Sequence, residues 1–111
     1  MTTGERISTI QTMLGEDVSD IVLDVYLRLA ISKILNHRYP FGTIETDVEP
    51  RFEMDLLELT IVLFNERGAE GQSVHSENGV KRDWRTEYEI LKGIPPMASV
   101  FNEEYEKLED K

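Results

Sequence analysis

Three acidic side chains early in the chain are the first candidates for chemistry. Asp17, Asp20 and Asp24 recur at spacings of three and four residues, which would place them along one face of a helix. Hard cations prefer carboxylate oxygens, but no EF-hand spacing, glycine-bearing ligand loop or neighbouring histidine accompanies these acids. The pattern therefore favours helix capping and a solvated face over a metal site.

The two histidines are the next candidates. His75 lies between Ser73 and Ser76, which suggests a nucleophile and its base. Neighbours along a strand point to opposite faces, however, and no third group orients the ring. His37 falls near the end of a predicted helix, where positive charge suits the helix dipole. We predict that neither histidine is a catalytic base.

The remaining acidic groups do not indicate a catalytic pair. Glu53, Asp55 and Glu58 would line the solvated side of a third helix, whereas catalytic carboxylate pairs need burial to separate their pKa values. The glycines of residues 68–79 do not form a GxxxxGK[ST] phosphate loop. We therefore predict that the protein is not an enzyme and has no catalytic residues, metal or cofactor.

Composition indicates one globular domain. The chain has 111 residues, of which 40% are hydrophobic and 31% charged, and no apolar run long enough to cross a membrane. Its polar N-terminus argues against a signal peptide. The absence of cysteine excludes disulfides, thiolate zinc sites and cysteine nucleophiles.

The charge is strongly acidic and uneven. The net charge of −10 disfavours ordinary nucleic-acid binding, because phosphate backbones repel it. Residues 1–70 hold 13 acids and 6 bases, whereas residues 71–100 hold 4 of each. We interpret the less acidic stretch as a contact surface.

Hydrophobic periodicity predicts the first two helices. Ile7, Ile10 and Leu14 share one face of a helix over residues 5–14, which Gly15 would end. A second helix over about 19–36 would be capped by Asp17 or Ser19. It is apolar around most of its circumference, so either it is the central helix or another chain covers one flank.

A third helix is predicted from a cap at Thr46 or Asp47, with Pro50 in its first turn. It too is apolar on more than one face. Arg67 and Gly68 would end it, with a cation at the negative end of the dipole and glycine just beyond. A last short helix, about Glu87–Lys92, would end at Gly93.

Between these helices lies the polar stretch RGAEGQSVHSENGVKRDWR, residues 67–85. Asn78-Gly79 favours a tight hairpin turn, with arms of roughly 72–76 and 80–85. A lone hairpin is marginally stable, so it would pack on the helices or on a neighbouring chain. The predicted fold is mainly α, a small bundle of about four helices with a short β-hairpin insertion between the third and fourth.

Trp84, the only tryptophan, has two open interpretations. It would anchor an interface, since tryptophan is enriched at binding hot spots, or it would pin the hairpin to the bundle. Lys81, Arg82 and Arg85 form a basic cluster too small for a nucleic-acid footprint.

The run LLELTIVLFNERGAEGQSVHSENGVKRDW (56–84) resembles the head–tail connector proteins of long-tailed bacteriophages, also called head-completion or adaptor proteins. Family members carry a phrase close to RGAEGQSSHSENG after an apolar helix, then an aromatic-bearing strand and a short helix. A proline-containing end like IPPMASVF (Ile94–Phe101) follows. The likeness spans residues 5–101.

The resemblance implies a structural virion protein that forms a ring of about twelve copies beneath the portal. Such a ring extends the DNA channel, through which DNA passes only as cargo, and offers a platform to the next connector, stopper or tail-completion protein. Assembly would occur in the bacterial cytoplasm, without a membrane. The acidic surface would suit DNA that must slide without sticking.

By the same resemblance, residues 1–101 form the connector domain with a loop at 68–86, and the acidic tail 102–111 extends past the family's end. The loop would contact a neighbouring subunit or the portal, and the C-terminal arm would contact the ring's partners. The implied interface residues are Gly71, Gln72, Ser73, His75, Asn78, Gly79, Arg82, Trp84 and Arg85 in the loop, and Pro95, Pro96 and Phe101 in the arm.

Two other functions compete with this one. A small acidic helical regulator, antitoxin-like or mimicking DNA, would bind a basic protein partner and carry its acids along one exposed face. The acids here are scattered instead. A small enzyme would require His75 beside a carboxylate in a pocket.

Overall fold

Four α-helices make up most of the described structure, a computed structural model that describes residues 1–68 and 84–97. The helices are α1 (Thr3–Leu14), α2 (Asp20–Arg38), α3 (Glu53–Leu63) and α4 (Glu87–Lys92). A 3-10 turn, Pro50–Phe52, leads into α3, and a π-helical turn, Phe64–Gly68, continues it.

Local capping chemistry sets several helix ends. Thr2 and Glu5 form a reciprocal capping box at the start of α1, and Gly15 ends that helix in the left-handed conformation at φ 73°. The Ser19 side chain accepts from the Val22 N–H at the start of α2, so Ser19, not Asp17, is the cap. The predicted boundaries of α1 and α2 are confirmed to within two residues.

The start of α3 differs from the prediction. Pro50 lies in the first turn as expected, but the residue before that turn is Glu49, and neither Thr46 nor Asp47 caps the helix. The Asp47 carboxylate instead accepts from its neighbouring Val48 N–H and pairs with Arg6. The Asp47 side chain, which the local sequence pattern predicted to cap the helix, therefore forms an ion pair with a distant residue instead.

The end of α3 also differs. The α-helix stops at Leu63, and the π-helical turn carries the chain on to Gly68. The helical run therefore reaches the predicted end at Arg67 and Gly68, but its last turn is π-helical and not α-helical. The turn keeps Phe64 buried, with its ring edge-on to Tyr26 of α2 at a centroid distance of 6.1 Å.

Helix α3 is the centre of the bundle. It packs against α1, α2 and α4, and its side chains from Leu59 to Leu63 are all buried. Thr60 is accommodated in this apolar setting because its hydroxyl donates to the Leu56 carbonyl at 2.8 Å. The buried hydrophobic core comprises Ile7, Ile10, Leu14, Leu23, Leu27, Ala30, Ile34, Val48, Phe52, Leu56, Leu57, Leu59, Ile61, Val62, Leu63, Phe64, Ile90 and Ile94.

The fold-class prediction is right about the helical bundle and wrong about the β-hairpin insertion. Residues 1–68 and 84–97 contain no strand. The turn at Asn78-Gly79 and most of both proposed arms lie outside the described residues. Trp84 and Arg85, the end of the second arm, are irregular, because the Arg85 N–H donates to Glu58 of α3 and not to a neighbouring strand.

Within the described part of the chain, no helix has both the length and the apolar character needed to cross a bilayer.

Candidate interaction surface

Residues 84–97, here called the docked segment, return the chain to the bundle after the long polar stretch. Arg85 fixes its start. The guanidinium donates to Glu58 Oε1 at 2.8 Å and to Asp55 Oδ1 at 2.8 Å, while the Arg85 backbone N–H donates to Glu58 Oε2 at 2.8 Å. Two α3 carboxylates expected to be merely solvated therefore hold the segment in place.

The electrostatics of this contact follow from its geometry. Burial raises the pKa of Glu58, but hydrogen bonds from the Arg85 side chain and backbone outweigh that effect and leave the pKa below its usual value. The hydrogen bonds that the Arg85 side chain donates to Glu58, and then to Asp55, raise the pKa of Arg85. Both partners stay charged at neutral pH.

Helix α4 supplies the apolar part of the contact. Thr86 and Glu89 form a capping box that begins this short helix. Ile90 and Ile94 are fully buried, and Trp84 packs partly buried against the same core. Of the two interpretations of Trp84, the structure supports the one in which its ring pins the segment to the bundle.

The far end of the docked segment is fastened to the C-terminus of α2. The Arg38 Nη1 donates to the Pro95 carbonyl at 2.6 Å, and the Met97 N–H donates to the Arg38 carbonyl at 2.7 Å. The His37 Nε2 lies 2.8 Å from the Ile94 carbonyl oxygen. His37 and Arg38 lie in the last turn of α2, as the helix-dipole argument placed His37, and both bind backbone from a distant part of the chain.

The Glu49 carboxylate also binds Arg38. Arg38 Nε donates to Glu49 Oε1 at 2.7 Å, so one guanidinium connects the 3-10 turn with the docked segment. Burial raises the pKa of Glu49, but the hydrogen bond and charge of Arg38 outweigh it and hold the pKa below its usual value.

The outward side of the docked segment carries exposed apolar and cationic groups. Tyr88 is 72% exposed, and Lys92 Nζ lies 5.9 Å from the centre of its ring. Pro95 and Pro96 are exposed beside them along the chain. Residues 84–97 contain two acids and two bases and are therefore uncharged overall.

The outward side of α2 carries a second exposed apolar patch. Ile21 is 78% exposed and Val25 57%, and Val22 is also exposed. We call these three residues the α2 outer face. Burial in this bundle uses only the opposite side of the helix, where Leu23 and Leu27 lie. One-sided burial therefore leaves part of the apolar circumference of α2 exposed.

The candidate metal ligands have ordinary partners. Asp20 accepts from the Gln11 side chain at 2.6 Å, and Asp24 accepts from Arg28 at 3.0 Å. Among the described residues, no group of three or more histidine, aspartate or glutamate side chains is arranged to hold a metal ion.

Only part of the predicted interface is described. Trp84, Arg85, Pro95 and Pro96 lie together on the docked segment, where Arg85 is engaged with its own chain and the prolines face outward. Tyr88, an exposed aromatic residue opposite Ile90 on a short helix, was not among the predicted interface residues. The remaining predicted residues lie outside the described ranges: Gly71, Gln72, Ser73, His75, Asn78, Gly79, Arg82 and Phe101.

Comparisons with protein-family models, with curated proteins and with solved structures give no match for this chain.

Proposed function

We propose that this protein is a head–tail connector subunit of a long-tailed bacteriophage or prophage. In this proposal, copies of the chain form a ring beneath the portal, extend the DNA channel and provide the docking platform for the next connector or tail-completion protein. The phrase RGAEGQSVHSENG, residues 67–79, supplies the resemblance.

The observation that carries the proposal is the exposed α2 outer face. A subunit of a ring must bury one surface in its own core and another against its neighbours. Ile21 and Val25 are exposed on a helix whose inward side is fully packed. Contiguous exposed apolar side chains are typical of protein interaction sites.

The docked segment supports the same function. It contains equal numbers of acids and bases, and the Arg38 and Arg85 contacts hold it at a fixed position on the bundle. A charge-neutral, positioned surface can approach another protein without the repulsion that a net charge of −10 would otherwise impose. The remaining acidity suits a channel wall that must not retain DNA.

Deletion of the gene in the phage or prophage that encodes this chain tests the proposal. We expect heads and tails to accumulate separately in electron micrographs, with joined particles restored when the chain is supplied from a plasmid. A deletion strain that still makes tailed, infectious particles would refute the proposal. Recovery of the chain bound to a basic protein, with normal virions, would identify the regulator instead.

A further inference from the structure

The helical bundle does not bury the α2 outer face. Helical geometry puts Ile21 and Val25 one turn apart on one side of α2, whereas Leu27, Ala30 and Ile34 are buried on the opposite side. A contiguous patch of exposed aliphatic side chains of this kind is typical of a protein interaction site.

The acidic charge around the α2 outer face restricts which surface can pack against it. Residues 16–25, which include the α2 outer face, contain four acids and no base. Two copies meeting through this face on both sides would bring these acids together, which like-charge repulsion disfavours. The complementary surface must therefore be neutral or cationic as well as apolar.

The docked segment has these properties. Tyr88, Pro95 and Pro96 expose apolar atoms, and the exposed Lys92 supplies a cation beside them. We call these four residues the α4 patch. Aromatic side chains such as Tyr88 are enriched at interfaces between proteins.

The α2 outer face and the α4 patch of one molecule cannot contact each other. The Lys33 Nζ pairs with the Glu87 carboxylate at 2.9 Å, which places the start of α4 beside the second half of α2. Lys33 lies twelve residues beyond Ile21, or about 18 Å along the helix axis. The two surfaces therefore lie at different positions along the bundle.

We infer that the α2 outer face of one copy docks on the α4 patch of a second copy. Because the two surfaces differ, each copy offers one and receives the other, and repetition of this contact closes into a ring when the rotation allows. This inference rests on the proposed connector function and names the described surfaces that would join its subunits.

The natural absence of cysteine makes the contact directly testable. Val25→Cys and Tyr88→Cys variants of the full chain are mixed and treated with a short bismaleimide. We expect a crosslinked pair that joins Val25→Cys of one copy to Tyr88→Cys of another, identified by peptide mass. Ser8→Cys, exposed on α1, is the matched control for collisional crosslinks.

The double variant Val25→Cys/Tyr88→Cys sharpens the result. Docking of unlike surfaces produces a ladder that extends beyond the dimer, whereas pairing of like surfaces stops at a dimer joined through Val25→Cys alone. Adding Ile21→Asp should reduce the crosslinked product to the Ser8→Cys background. Lys92→Glu should weaken crosslinking, and combining it with Asp24→Lys should restore it.

The inference is overturned by a dimer joined through Val25→Cys on both copies, by crosslinking no greater than the Ser8→Cys control, or by a chain that stays monomeric at every concentration. These outcomes are separate from the deletion phenotype. Tail-less heads combined with a failed crosslink would retain the connector function and reject this contact.

Discussion

Two arginine contacts with similar geometry lie at different depths in this molecule. Arg6 donates to both oxygens of Glu53 at 2.7 and 2.9 Å and pairs with Asp47, and its side chain is 5% exposed. Arg85 makes comparably short bonds to Glu58 and Asp55, yet its side chain is 44% exposed.

This difference in exposure gives the two arginines different roles: Arg6 stabilises the fold, and Arg85 positions the docked segment. A buried cation that loses its partners is strongly destabilising, whereas an exposed ion pair contributes little to the free energy of unfolding. Arg6 joins α1 to the segment that enters α3, within the core that every helix shares. Arg85 holds the docked segment at the edge of that core, so its main effect is on where the segment lies.

Removing the partners of Arg6 should have the largest effect. Glu53→Ala leaves a buried guanidinium with only Asp47, and we expect a loss of about 4 kcal/mol in the free energy of unfolding. Urea unfolding followed by far-UV circular dichroism measures it. Arg28→Ala, which breaks an exposed pair within α2, is the control and should change stability by less than about 0.5 kcal/mol. Equal effects of the two substitutions would contradict the comparison.

Ile90→Ala should have the next largest effect. Ile90 is fully buried, and its truncation leaves a cavity where α4 meets the core, at a cost of about 3 kcal/mol. The half-buried neighbour Leu91 provides the matched control, since Leu91→Ala creates less unfilled space. If Leu91→Ala cost as much as Ile90→Ala in the same unfolding experiment, the assigned burial of α4 would be wrong.

Arg85→Ala should release the docked segment more than it destabilises the bundle. We expect a loss of about 1 kcal/mol in global stability. Trp84, the only tryptophan, packs beside Arg85, so its fluorescence reports the segment and circular dichroism reports the helices. The fluorescence change should precede the loss of helix in this variant, whereas both should coincide in the wild type. Coincident transitions in the variant would show that Arg85 supports the whole fold.

Acid should produce the smallest effect. The folded-state pKa of Glu58 is depressed, so its contribution is fully present above the unfolded value of about 4.3 and is lost as the pH falls through the folded value. Wild-type stability should therefore decline below that pH, and Glu58→Gln should decline less steeply. Unfolding midpoints measured from neutral pH downward test this. Parallel slopes for the two proteins would exclude the contribution of Glu58.

Local patterns predicted the helices better than the contacts between them. The spacing of Ile7, Ile10 and Leu14 indicated α1, and Gly15 and Gly93 marked two helix ends, because periodicity and capping are short-range properties. Tertiary contacts overrode Asp47 as a cap, because Arg6 pairs with its carboxylate from 41 residues away.

The candidate surface was predicted only in outline. The apolar excess of α2 and the neutral stretch near the C-terminus were visible in the sequence, as were Pro95 and Pro96. The roles of Arg38 and Arg85 were not, because their partners are 57 and up to 30 residues distant and no repeat or motif links them. The predicted hairpin failed at Trp84 and Arg85, where side-chain contacts to α3 replace strand pairing.

We propose above that this chain binds a portal as a ring of copies. The most direct measurement is the sedimentation mass of the portal encoded in the same phage or prophage genome, with and without excess chain. We expect the portal to gain a defined number of 12.8 kDa subunits, about twelve, and electron micrographs to show a closed ring of added density at one end. A portal whose mass does not change under these conditions would contradict it.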